Sequence, residues 1–434
     1  MALSLFHQDR EYSPNHYRWR RFLDGYLLVS EMGSWVWLTE GEFALLRHGR
    51  LEENVALLAL LKEKRFVITE KSLPVAAHAH GQRIESLFGG TYHHVIFLEN
   101  PLDSKKESSL EKMADFISQS PQKEIVVTFR HYGADSLGVL SQLVEHLSNL
   151  KRKKVRLRLE MDAGLMTEEL FEIIVRNHVE VWHLLAQFPL PEQAHAWAKE
   201  LQRKASIQFY IEVSKTLLGK EGDLLGFFAN EGFRSYSLRK SPDVSREEFL
   251  SFWKKAIDLA FGENRKRNRV EISDQYSSQL LRRLTQLKDV SHPRLLGLCD
   301  GAVVSELAYG LDGSVYASAD GYGVEIFKLG SVALPYGRIF SGEGSIALLN
   351  TSLASNPSLE KNVLRPYLSN SPILNYKESA TLIGRQPQQY ILLLEEMYSH
   401  LLERMIIEKD FLKHMLSDPA PSGIPLPLSR KNAQ

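Results

Sequence analysis

From Thr91 onward the sequence alternates between short β-rich runs and amphipathic stretches of helical length. The β-rich runs are Val95–Leu98, Glu124–Phe129, Val155–Leu159, Val179–Leu185, Ile207–Val213 and Ser235–Leu238. Between them, helical periodicity covers Ser109–Ser118, Ser136–Leu150, Thr167 to Asn177, Glu192–Arg203 and Asp223–Glu231. Strands alternating with helices imply a parallel sheet with right-handed crossovers, because a parallel pair needs a long connection that packs back on the sheet. About six such units fit within residues 91–290, fewer than the eight that close a full barrel. The expectation is an α/β protein built on an open, partial (β/α)6 TIM-like barrel.

The flanks read differently. Residues 1–75 carry a β-rich pair, Tyr26-Leu27-Leu28-Val29 and Trp35-Val36-Trp37-Leu38, around a Met32-Gly33-Ser34 turn. Thr39 with Glu42 makes a capping box that opens a short helix, and Val55–Phe66 gives a second. Two strands and two helices suggest a winged-helix-like unit, joined to the barrel by a linker at 76–90. Beyond the barrel strands, Ser245–Phe261 and Ser273–Leu287 read as helices. Asp312-Gly313 marks a hairpin in a Gly-rich stretch. Residues 340–390 are Ser-, Asn- and Pro-rich without periodicity. Tyr390–Leu416 is amphipathic, and the tail 418–434, with its prolines, is expected to be disordered.

Composition narrows the chemistry. Among 434 residues, Lys+Arg and Asp+Glu are 53 each, a balance that argues against a nucleic-acid coat or a polybasic membrane protein. No apolar run reaches spanning length and the start lacks a secretory h-region, so a cytoplasmic protein is expected. There is a single cysteine, Cys299. One thiol excludes an intramolecular disulfide and any site that needs two or more thiolates from one chain.

The order of the pieces resembles radical S-adenosylmethionine (SAM) enzymes with a C-terminal SPASM extension, most closely the maturase of His-Xaa-Ser repeat peptide systems. Asp24-Gly25-Tyr26-Leu27-Leu28 through Glu42-Phe43 is similar to the opening module of that family, which is akin to peptide-recognition domains. Ser245–Ala256 looks like the helix after the last barrel strand. Cys299-Asp-Gly-Ala, Ala308-Tyr309 and Asp312-Gly313-Ser-Val-Tyr316 resemble the SPASM entry. Phe327–Val332 and Pro366-Tyr367 through Asn375-Tyr376 resemble later segments. The resemblance implies an N-terminal peptide-recognition module (1–75), a barrel (91–290) and a SPASM-like region with a C-terminal helix (296–416).

The family's cofactor positions are changed. A radical SAM enzyme needs a C-x-x-x-C-x-x-C loop after the first barrel strand, whereas this strand runs into Glu99-Asn-Pro-Leu-Asp-Ser-Lys105. Where a Gly-Gly-Glu-Pro should hold SAM stands Arg130-His131-Tyr132-Gly133, so a His-Tyr pair is expected to fill that space. Asp162 stands where the family often has Asn. Ser318, Leu359, Asn362, Leu368 and Ser371 stand where SPASM cysteines would be. The resemblance is therefore to a degenerate member without the cluster cysteines, with no cofactor and no metal expected.

Other signals have plain readings. His78-Ala-His80 and His93-His94 lack partners at ligand spacing. Cys299 has no legible His–Asn companion, so a buried thiol is expected. The runs 151–154 and 265–269 are basic but lack interleaved aromatics, so solvated loops are expected rather than a nucleic-acid site. Two functions fit. One is a pseudoenzyme that captures a peptide along the edge of Tyr26–Val29 or Trp35–Leu38 and docks on a protein partner such as an active radical SAM enzyme; the 340–390 segment would then be ordered by the partner. The other is a cluster-free enzyme working through Arg130, His131 and Asp162 at the barrel mouth.

Overall fold

The structure is a computed structural model that describes residues 12–74, 78, 90–99, 107–150, 152–185, 188, 190–205, 207–285, 303, 305–351, 357–368, 371–383 and 389–416. At the N-terminus, β1 (Ser13–Pro14) is followed by β2 (Tyr17–Phe22), β3 (Gly25–Ser30) and β4 (Trp35–Leu38). The last three form an antiparallel sheet in the order β2-β3-β4. The Tyr17–Phe22 segment is thus a third strand, which sequence periodicity did not separate from its approach. Helices Glu40–His48 and Val55–Glu63 follow, and β5 (Val67–Ile68) pairs with β1.

The capping box at Thr39 is formed as expected. Thr39 Oγ1 accepts the Glu42 amide at 3.3 Å, and the Thr39 amide donates to Glu42 Oε2 at 2.9 Å. Both groups are solvent-exposed, so Thr39→Ala is expected to cost about 1 kcal/mol, read as a lower denaturation midpoint with unchanged slope.

The strand β3 is buried on both faces. Leu28 packs with Val36, Leu38, Phe43 and Leu57 into the module's own core. Leu27 and Val29 face the other way, into a core shared with Leu364, Tyr367 and the C-terminal helix. Arg18 donates to the Glu360 carbonyl at 2.7 Å, Arg20 pairs with Glu395 at 3.2 Å, and Trp35 Nε1 donates to the Leu284 carbonyl at 3.0 Å. The module is therefore seated on the body through one sheet face.

Among the described residues the body is an open ten-stranded sheet. Its parallel strands are β6 (His93–Phe97), β7 (Glu124–Arg130), β8 (Lys154–Met161), β9 (Glu180–Leu185), β10 (Ile207–Val213), β11 (Ser235–Lys240) and β12 (Ser273–Asp274), each paired with the next. Helices Glu107–Ser118, Leu137–Ser148, Glu168–Arg176, Glu192–Lys204, Glu221–Glu231 and Arg246–Arg267 separate them. Alternate residues such as Ile96, Val127, Phe129, Leu159 and Val181 pack toward these helices. Beyond β6 the sheet continues with β13 (Glu306–Gly310), parallel to it, and then β14 (Ser314–Tyr316) and β15 (Lys328–Ser331), antiparallel. Gly313, at φ 83°, makes the expected Asp-Gly turn between β13 and β14.

Three expectations are corrected. The segment 340–390, read as lacking periodicity, contains helices Glu343–Asn350, Pro357–Glu360 and Pro372–Ser379 among its described residues. The basic run at 265–269 is mostly the last turn of Arg246–Arg267, where cations complement the helix C-terminus. The single helix expected over 390–416 is two, Gln389–Ile407 and Phe411–Met415, both packed on Arg246–Arg267. Cys299, His80 and the tail 418–434 lie outside the described residues.

Candidate functional site

Side chains alternate across a strand, so the residues between those packed on the helices define an inner face. That face is polar. On β7 and β8, Arg130 Nε lies 2.8 Å from Glu160 Oε2. One residue pair further, Arg158 Nε donates to Glu180 Oε2 at 2.8 Å, and its guanidinium sits 4.5 Å above the Trp182 ring. Trp182 Nε1 donates to Glu180 Oε1 at 3.0 Å, and its ring lies 5.1 Å from Tyr210 on β10. Burial, reinforced by Glu160, pushes the Tyr210 phenol well above its ordinary pKa. Arg130 and Arg158 are each matched by a carboxylate, so this part of the strip is a lattice of ion pairs with aromatic flanks.

Toward β6 the inner face turns aromatic. Phe97 stacks on Tyr322 at 3.8 Å with rings almost parallel, and Tyr316 meets Tyr322 edge-on at 5.2 Å. These rings occupy the C-terminal end of β6. At the other end of β6, His93 Nδ1 lies 2.9 Å from Glu306 Oε2, and its Nε2 is 2.9 Å from Thr128 Oγ1. Carboxylate, imidazole and hydroxyl in series is the order of a nucleophile relay. Thr128 is fully buried in mid-strand, however, and no substrate reaches it. The series ties β13 and β7 to β6.

The residues nominated at the strand ends separate. Arg130 lies on the inner face. His131 has φ 55° and a side chain 54% exposed; it pairs with Glu99 and meets Phe97 edge-on at 4.9 Å. Burial of the ring lowers its pKa, partly offset by Glu160. Tyr132 turns to the opposite face and is buried in the helix-side core. His131 and Tyr132, expected to fill one space together, thus lie on different faces, and the C-terminal end of β6 is occupied by Phe97 and Tyr322. Asp162 is exposed and accepts the Gly164 amide at 2.7 Å, closing its own turn. The residues missed were Arg158, Glu160, Glu180 and Trp182. The signal for Arg158 and Glu160 was available, because Arg156-Leu-Arg-Leu-Glu160 alternates where a strand buried on both faces would be apolar throughout.

At the nominated SPASM positions, Leu359 and Leu368 are fully buried in the core shared with the C-terminal helix. Asn362 Nδ2 donates to Glu395 at 2.9 Å, and Ser371 caps the Pro372–Ser379 helix. Ser318 is buried among Ala317 and its neighbours. Among the described residues no group of three His, Cys, Asp or Glu side chains is arranged to hold a metal ion.

In the N-terminal module the expected edge at Tyr26–Val29 is corrected. β3 is the central strand, paired on both sides, and has no free edge. β4, with Trp35, Val36, Trp37 and Leu38, is an edge strand, and no described strand pairs with its outer side. Its side chains are committed: Val36 and Leu38 are buried in the module core, and Trp37 Nε1 donates to the Phe22 carbonyl at 3.0 Å. What β4 offers is backbone.

No protein-family profile and no curated protein matches the chain. Its fold is similar to solved structures of radical SAM peptide maturases. The structure of anSMEcpe with bound AdoMet and Kp18Cys peptide superposes with TM-score 0.59 at 15% identity, covering 73% of this chain and 98% of that one. SuiB of Streptococcus suis bound to S-adenosylmethionine gives TM-score 0.51 at 10% identity, over 87% of this chain and 99% of that one. SuiB bound to the precursor peptide SuiA gives 0.52 at 10% identity, over 86% and 98%. The likeness is one of fold: a mixed α/β architecture around a large parallel sheet. No helix among the described residues is long and apolar enough to cross a membrane.

Proposed function

We propose that this chain is a catalytically inactive, radical-SAM/SPASM-like scaffold that binds a peptide or protein partner in a peptide-modification pathway. The observation that carries this reading is the cysteine count. Three thiolates hold a radical SAM cluster, and 434 residues here supply one. The residues after β6, Leu98-Glu99-Asn-Pro-Leu-Asp-Ser-Lys105, contain no sulfur ligand, so the donor set does not fit an iron–sulfur cluster. The stacked Phe97 and Tyr322 support the same reading, since they fill the end of the strand from which such a loop would leave.

The partner is a peptide captured as an added strand on the outer edge of β4, where backbone donors and acceptors are available and side chains are not needed. An active radical SAM enzyme is the second partner. The basic residues near 265 do not argue for nucleic acid. Arg265 pairs with Glu408 and Asp410, and Arg267 and Arg269 with Glu271. We place the protein in the cytoplasm. The enzyme alternative is favoured by the polar inner face, but its nominees do not converge. His131 is held by Glu99, and Asp162 by its own turn.

Anaerobic reconstitution with iron and sulfide tests this reading. The expected result is no stoichiometric iron and no 5′-deoxyadenosine on reduction; brown protein with iron bound in proportion to chain overturns it. For the peptide, hydrogen exchange of the β4 amides facing away from β3 is expected to slow when the partner is added. Unchanged exchange there removes the strand-addition site.

A further inference from the structure

Several partly buried arginines in this protein are matched with carboxylates, as Arg18, Arg130, Arg158 and Arg404 illustrate. Arg283 is different. It lies near the end of the Gln275–Thr285 helix and is half-buried. Among the described residues no carboxylate pairs with it. Among the described residues its Nε, like those of Arg20, Arg130 and Arg404, is sealed from water without a hydrogen-bond partner, and the hydrogen bond found for it is a long one, from Nη1 to Tyr398 Oη at 3.5 Å. A guanidinium carries five donors in a planar fork, and leaving it unmatched away from water is unfavourable unless something completes it.

What surrounds it are phenols. Tyr276, on the same helix face, places its hydroxyl 3.5 Å from that of Tyr390, and Tyr398 lies 5.4 Å ring-to-ring from Tyr367. Tyr390 is 37% exposed and forms an open rim. The corner is built from three parts of the chain: the Gln275–Thr285 helix, the Gln389–Ile407 helix, and the N-terminal module. The module reaches it through Trp35, bonded to the Leu284 carbonyl, and through Gly33, whose carbonyl accepts from Tyr367 Oη.

We infer that Arg283, with the hydroxyls of Tyr276, Tyr390 and Tyr398, forms a binding site for an oxyanion. The fork matches a carboxylate or phosphate in two-point contact, and the phenols add donors around it. The oxyanion comes either from an acidic residue of a bound peptide or from a free small acid. Only the first source rests on the peptide reading. Because the site sits where the module meets the body, its ligand fastens the two.

The test is thermal melting of the full chain at constant ionic strength, with inorganic phosphate, glutarate or an acetylated tetraglutamate peptide replacing chloride. The wild-type protein is expected to melt several degrees higher with at least one of these. A response to phosphate or glutarate identifies a free acid, and a response to the peptide alone identifies a peptide carboxylate. Arg283→Met is expected to melt no lower than wild type without ligand, since it removes an unmatched buried charge, and to lose the response. A purely structural arginine would instead destabilise the protein on removal. Arg283→Lys, which keeps the charge but not the fork, is expected to bind about tenfold more weakly. A wild type insensitive to all three, or an Arg283→Met protein that responds like wild type, overturns the site. A protein that binds phosphate at Arg283 but carries an iron–sulfur cluster would leave this site standing and remove the scaffold reading.

Discussion

Replacing Asn264 with Ala is expected to lower the stability of the folded chain by about 4 kcal/mol, because four backbone groups, three of them buried, lose their partner at once. Asn264 is fully buried in the Arg246–Arg267 helix. Its Nδ2 donates to the carbonyls of Ile272 and His414, each at 2.8 Å, and its Oδ1 accepts the amides of Glu271 at 2.8 Å and Ile272 at 3.0 Å. Every donor of the amide is used, on a stretch of irregular backbone at 271–272 and on the last turn of a short helix. One segment leads into β12, the edge of the large sheet; the other is the C-terminal helix Phe411–Met415. Asn264→Asp keeps the acceptor and loses both donors, so it is expected to be at least as damaging, with a buried carboxylate facing two carbonyls. Denaturant midpoints measured for both variants check this. A loss under about 1 kcal/mol, the worth of one ordinary hydrogen bond, would show that the four contacts do not act together.

The same residue shows why part of the fold was hidden. In sequence, Gly262-Glu263-Asn264 interrupts an apolar pattern and reads as a helix ending near Phe261. The helix in fact continues to Arg267, with Asn268 in the left-handed cap. Non-local hydrogen bonds make a polar residue a core residue, and no local pattern announces them. Signals that are local were legible: Thr39 with Glu42, Asp312-Gly313, and the strand spacing from β6 to β11. The parallel pairing of β13 with β6 joins residues more than two hundred positions apart, and only the folded sheet reveals it.

The candidate site divides the same way. Arg130 and His131 were nominated because they end a barrel strand, and both are found at that end. Tyr132, their neighbour, was misplaced. The positive φ of His131 breaks the strand and sends Tyr132 into the helix-side core. The alternating charges of β8 were visible, but their partners Glu180 and Trp182 come from another strand. A sequence gives the residues of such a lattice without their pairing. Arg283 gave no signal at all, because an unmatched arginine is defined by what does not surround it.

Acidification is expected to weaken the fold through His94. This residue is fully buried on β6, with Nδ1 2.7 Å from Tyr309 Oη and the two rings stacked at 5.7 Å. Burial, helped by the nearby His93 and Lys153, lowers its pKa to about 3. An unfolded histidine titrates near 6.5, so between those values the unfolded chain holds one proton more than the folded one. Stability contributed by the neutral ring is complete above pH 6.5 and is lost as pH falls, at about 1.4 kcal/mol per unit. At pH 5 the loss from this one group is about 2 kcal/mol. In His94→Leu the difference in stability between pH 7.5 and pH 5 is expected to shrink by that amount. The variant is also less stable at pH 7.5, because Tyr309 loses its hydrogen-bond partner. An acid limb equally steep in wild type and variant would mean that the imidazole opens to water before it protonates, and that the packing of β6 against β13 is looser than these contacts imply.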